Sequence, residues 1–129
     1  MARIEKFEDI DSWKAAREAT KLVYSVSSLG MFAKDFALCN QIRRAAVSIL
    51  SNIAEGFERD GNKEFLQFLA IAKGSCGEVR AQLYVALDQK YIDEKQFAEI
   101  SNKLAETSHL ISGFMKYLQQ SELRGNKFK

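Results

Sequence analysis

Apolar residues return every three or four positions along most of this chain, and the rhythm fails at only a few places. From about residue 11 to 28, Trp13, Ala15, Ala16, Ala19, Leu22, Val23 and Val26 sweep one arc, with Lys14, Arg17, Glu18 and Lys21 opposite. Asp9, Asp11 and Ser12 are all able to cap such a helix. The run "SSLGMFAKD" then breaks the pattern. A second helix is predicted over about 36–58, with Cys39, Ile42, Ala46, Ile49 and Ile53 alternating three and four apart. "RDGN" reads as a turn, and Asp60 or Asn62 is placed to cap a third helix over about 63–89. Its stripe is Phe65, Leu69, Ala72, Cys76, Val79, Leu83 and Ala86. Asp93, with Gln96 spaced as in a capping box, opens a fourth helix over about 94–121. There Phe97, Ile100, Leu104, Thr107, Ile111, Phe114 and Leu118 carry the stripe. Residues 122–129, with Arg124, Lys127 and Lys129, read as a loose basic tail.

Sustained stripes joined by short connections mean antiparallel neighbours packed at shallow angles. The fold class is therefore all-α: an up-down-up-down antiparallel four-helix bundle forming a single domain over residues 1–129.

The positions pointing away from these stripes are uneven. The fourth helix turns out Glu99, Asn102, Glu106, His109 and Lys116, an ordinary wet face. The third turns out Ala70, Ile71, Gly74, Gly77, Ala81, Tyr84 and Val85, with Glu78 as its main charge. The second turns out Ala37, Val47, Ser48, Ser51 and Ala54 with Arg44 and Glu55. A glycine inside a helix costs about 1 kcal/mol against alanine, so two of them on an outer face suggest that another backbone comes close. A smooth apolar patch on a small protein marks a partner surface. The expected oligomer interface is Ala70, Gly74, Gly77 and Ala81 with Ser48 and Ser51. The competing reading is a register one residue off, with the same residues lining the core.

"QIRRAAVSILSNIAEG" carries polar residues that no ordinary solvated face explains. Across an antiparallel turn near Asp60 and Gly61, residues level on the second and third helices have numbers summing to about 121. Arg43 and Arg44 then lie opposite Glu78. A bidentate Arg–carboxylate pair, with Asn52 and Glu55 in nearby polar contacts, forms the expected structural seam. A catalytic site made of the same residues is the alternative.

Composition narrows the classes. The chain of 129 residues has a net charge of +2, which alone does not imply nucleic acid, and its lack of proline suits uninterrupted helices. No apolar run approaches the roughly 20 residues that cross a bilayer, and the N-terminus lacks the apolar stretch of a secretory signal. A cytoplasmic protein with reduced thiols is expected. Cys39 and Cys76 read as core thiols, too far offset for a disulfide. Glu106 and His109 have the helical spacing of di-iron bundles, but such sites need a second motif and two more glutamates. Gly74 and Gly77 lie inside a helix, not in a phosphate loop. No metal, no cofactor and no enzymatic activity are expected.

"QIRRAAVSILSNIAEG", followed by "EFLQFLAIAKGSCGEV", resembles the 23S rRNA intervening-sequence proteins. The likeness extends to "DIDSWKAA" and "KYID" and spans about residues 7 to 118. It implies a four-helix protomer assembled into a ring-shaped homopentamer and a role linked to RNA. It also implies a relation to the accessory proteins of diversity-generating retroelements, which bind a reverse transcriptase and nucleic acid. This chain departs from the pattern at Leu50 and Ala33, where members carry proline.

Two functions from different classes follow. The first is a non-enzymatic oligomeric scaffold binding RNA or a ribonucleoprotein through Lys14, Arg17 and Lys21 on one helical face and Arg124, Lys127 and Lys129 in the tail. The plain reading of the helical cluster is a solvated face. The second is a protein–protein adaptor, such as an accessory subunit of a retroelement reverse transcriptase.

Overall fold

The computed structural model describes residues 4–123, so Arg124, Lys127 and Lys129 lie outside the described residues. A 3-10 turn (Phe7–Asp9) leads into α1 (Asp11–Ser27), α2 (Gly30–Lys34), α3 (Phe36–Phe57), α4 (Asn62–Asp88) and α5 (Glu94–Leu123). Among the described residues there is no strand. Each long helix packs on two others: α1 and α4 both touch α3 and α5. Neighbours run antiparallel, because contacts pair rising with falling numbers. Examples are Thr20 with Ala46 and Ser27 with Arg43 across α1 and α3, and Ser48 with Ser75 and Gln41 with Gln82 across α3 and α4. The four stripes meet inside. Val23, Ile42, Ile49, Ile53, Leu69, Leu83, Ile100, Leu104, Ile111 and Leu118 are all fully buried. Each such side chain contributes about 1.5–3 kcal/mol relative to exposure.

The break after α1 holds more structure than its pattern suggests. It contains α2, a single turn that drives Phe32 into the core at 0% exposure. Phe32 stacks on Tyr91 at 5.3 Å, and the Tyr91 hydroxyl donates to Asp35 Oδ2 at 2.9 Å. The other oxygen of Asp35 accepts from the Leu38 amide and caps α3. The hydrogen bond to Asp35 holds the Tyr91 phenol above its ordinary pKa. With leucine rather than proline at residue 50, α3 runs unbroken.

Two expected caps are replaced. None of Asp9, Asp11 and Ser12 caps α1, which starts after an extended Ile10 with no side-chain cap. Asp9 instead closes the 3-10 turn, accepting from the amides of Glu5 and Lys6 at 3.0 and 3.2 Å, which holds its carboxyl below the usual range. At α4 the cap position is Gly61, whose φ of 85° suits glycine. Asn62 is buried and donates to the Leu118 carbonyl at 3.1 Å, tying α4 to α5. The Asp93–Gln96 box forms as spaced, with reciprocal bonds of 2.9 and 2.7 Å.

Cys39 and Cys76 are buried and free. Burial pushes the Cys76 thiol up from 9.0 to about 11. The unfolded chain therefore loses this proton first as pH rises. The contribution of this group should be constant below pH 9 and fall between pH 9 and 11, by up to about 3 kcal/mol. Urea titrations at both ends of that window check it, and Cys76→Ala should show a shallower loss than the parent.

Candidate functional site

The polar residues of α3 divide among three neighbours. Arg43 turns toward α1: Nε donates to Ser27 Oγ at 2.8 Å, Nη2 to Ser28 Oγ at 3.2 Å, and the guanidinium lies 4.7 Å over Tyr24. This corrects the expected Arg43–Glu78 pair. Arg44 does not make it either; Arg44 and Glu78 are both exposed, and among the described residues neither has an ion-pair partner. Register explains Arg43, whereas Arg44 and Glu78 stay nearly level but both turn outward to solvent. Ser48–Ser75 and Gln41–Gln82 meet two residues further along than the expected level, and each residue turns a helix by about 100°.

The seam between α3 and α4 is neutral instead. Asn52 Nδ2 donates to the Ser48 carbonyl and hydroxyl at 2.8 and 2.9 Å, and Ser75 Oγ donates to Ser48 Oγ at 3.0 Å. Glu55 joins a separate cluster at the turn. Arg59 reaches it at 2.7 Å and Glu64 at 3.5 Å, while lying 5.0 Å over Phe68. Ser75, Ser27 and Arg59 are the members that sequence reasoning missed. Only Ser75, an unstriped polar residue on the α3 side of α4, left a periodic signal.

The outer face of α3 and α4 stands open in the protomer. Ala70, Gly74, Gly77, Ala81 and Ser51 are exposed and Ser48 is half-buried, so these residues do not line the core. Around them Ile71, Tyr84 and Val85 on α4 and Val47 on α3 are 52%, 54%, 45% and 37% exposed. The glycines separate into two kinds. A Cβ at Gly56 would meet Phe65 Cδ1 at 2.7 Å and Phe68 Cβ at 2.8 Å, so the close approach of α3 and α4 requires glycine there. A Cβ at Gly74 or Gly77 would meet nothing within 4 Å. Packing inside the protomer gives no reason for the propensity cost of these two.

Lys14, Arg17 and Lys21 share the exposed face of α1, as their spacing predicts. Two carboxylates temper them: Lys14 lies 3.9 Å from Asp11 and Lys21 lies 3.6 Å from Glu18, while Arg17 sits 5.9 Å over Trp13. These pairs are largely solvated, so they stabilise little and release readily to a competing anion.

The surface also carries concavities. A cleft of about 340 Å³ between the N-terminal segment and α5 is lined by Ile10, Ser12, His109, Phe114 and Tyr117, among others. A shallower groove is floored by Phe7, Trp13 and Leu50 and rimmed by Glu55, Glu58 and Arg59. Among the described residues no group of three or more His, Cys, Asp or Glu side chains is placed to hold a metal ion. None of their helices is long and apolar enough to cross a membrane.

Residues 8–113 match the sequence family described as 23S rRNA-intervening sequence protein. No curated protein matches the chain. Among solved structures, it is similar to a protein of unknown function from the S23 ribosomal protein family of Bacteroides thetaiotaomicron VPI-5482. The two superpose with a TM-score of 0.74 at 26% identity, over 81% of this chain and 98% of the other.

Proposed function

The chain belongs to the 23S rRNA-intervening sequence protein family, and from that premise we propose that it is a non-enzymatic, self-associating scaffold that binds RNA or a ribonucleoprotein. The observation that carries self-association is the outer face of α3 and α4, where exposed Ile71, Val85 and Val47 flank two glycines that their own protomer leaves uncovered. A ring-shaped homopentamer is the assembly that the family resemblance favours. Its repetition of the α1 cations would turn weak single contacts into useful affinity.

Such contacts read phosphates. Binding should be tolerant of sequence, and log affinity should fall linearly with log salt. Replacing Lys14, Arg17 and Lys21 together with glutamine should weaken binding and reduce that slope by about one for each phosphate left without its cation. Fluorescence anisotropy with a structured RNA and a random single strand, at two salt concentrations, measures both effects. Failure to bind either strand at low salt would remove the RNA reading. It would leave the adaptor function, with a protein such as a reverse transcriptase as partner.

A further inference from the structure

We propose that Arg44 of one protomer pairs with Glu78 of a second copy, and that this charge pair sets the register of self-association on the α3–α4 face. The inference rests on the self-association reading above and names the contact that would orient it.

Both charges are exposed, and among the described residues neither has an ion-pair partner. They also stand level with each other. Ser48 and Ser75 touch at 3.0 Å; Arg44 lies one turn before Ser48, Glu78 one turn beyond Ser75, and the helices run in opposite directions. Each protomer thus shows a cation on α3 and an anion on α4 at the same height, about one helix spacing apart. Arg44 stands among Val47 and the polar Asn40, Gln41 and Ser48 of α3, whereas Glu78 shares its side of α4 with Ile71, Gly74, Ala81 and Val85. A second copy laid with its α4 against α3 sets carboxylate against guanidinium, with Val47 facing the apolar strip of α4.

The cost of desolvation makes the pairing necessary. Covering this face takes both charges out of water, and an ion buried without its counter-ion costs several kcal/mol. A foreign protein would have to supply the complementary charges; copies of this chain carry both, so each Arg44 can face the Glu78 of a neighbouring copy. Gly74, one turn from Glu78 and open to at least 4 Å, lets the incoming helix approach closely enough for the guanidinium to reach.

Charge reversal tests the pair, with association measured by sedimentation and native mass spectrometry and folding checked by circular dichroism. Arg44→Glu and Glu78→Arg should each weaken association by at least about tenfold while helicity is kept. The double reversal in one chain should restore it. Mixing the two single variants should also recover association in part, giving particles that contain both, which only a pair between copies allows; a ring of five keeps at least one like-with-like interface. If the parent assembles and the single reversals assemble equally well, the pair is overturned and self-association stands. Rescue by the double variant with no mixed particles formed at all places the pair inside one protomer and overturns it too. A monomeric parent overturns the self-association reading itself, and this inference with it.

Discussion

Replacing Gly56 with alanine should destabilise the protein by about 1–3 kcal/mol, the usual cost of forcing extra volume into a packed contact. Helix propensity acts the other way, since alanine is favoured by about 1 kcal/mol inside a helix. Sterics win because of what the new methyl meets. Phe65 Cδ1 at 2.7 Å belongs to a ring already set edge-on against Phe57 and Phe114, so it has little freedom to turn away. Phe68 Cβ at 2.8 Å moves only if the backbone of α4 moves. Gly113→Ala is the control, because a Cβ there meets nothing within 4 Å and should stabilise by up to about 1 kcal/mol. Urea denaturation of the three proteins decides the matter. A Gly56→Ala midpoint equal to or above the parent's would mean that α3 and α4 are not held in this tight approach.

Gly74→Leu should leave the protomer folded and break its assembly. Inside the protomer the new side chain projects into open space, so helicity by circular dichroism should be unchanged or slightly raised. On a face that must meet another helix it adds four carbons where the partner backbone comes close. Overpacking of about 1–3 kcal/mol corresponds to a weakening of roughly tenfold to a hundredfold at each interface. A closed assembly suffers that weakening at every interface. Light scattering at micromolar concentration reads the result, with Gly77→Leu as a second probe of the same strip. Unchanged particle mass in both variants would move the interface away from α4.

The two glycine variants also show what the sequence can and cannot reveal. Stripe residues such as Ile49, Leu69 and Leu104 announce the bundle because helical spacing and burial are the same periodic fact. Gly74 and Gly77 can be placed on an outer face for the same reason. Gly56 shares the composition signal of those two, yet its role depends on which ring lies across from it. Arg43 escapes a sequence reading because level and direction are separate quantities. The turn length gives the level only to within a couple of residues, and that uncertainty spans half the circumference of a helix. Phe32 sits in a single turn of helix, too short to show a period. The α1 cations are visible as a cluster, whereas the tempering by Asp11 and Glu18 depends on side-chain placement.

The bond between Asp35 and Tyr91 spans 56 residues and closes the open end of the α3–α4 hairpin, opposite its connecting turn. It cannot close until α3 and α4 have docked side by side along their full length. Early in folding, Asp35 has only its local task of capping α3, and Tyr91 has no partner. The clasp therefore closes only after that hairpin has zipped from its turn to its far end. Its contribution falls on the unfolding side of the barrier, where it slows the opening of the finished bundle without hastening its assembly.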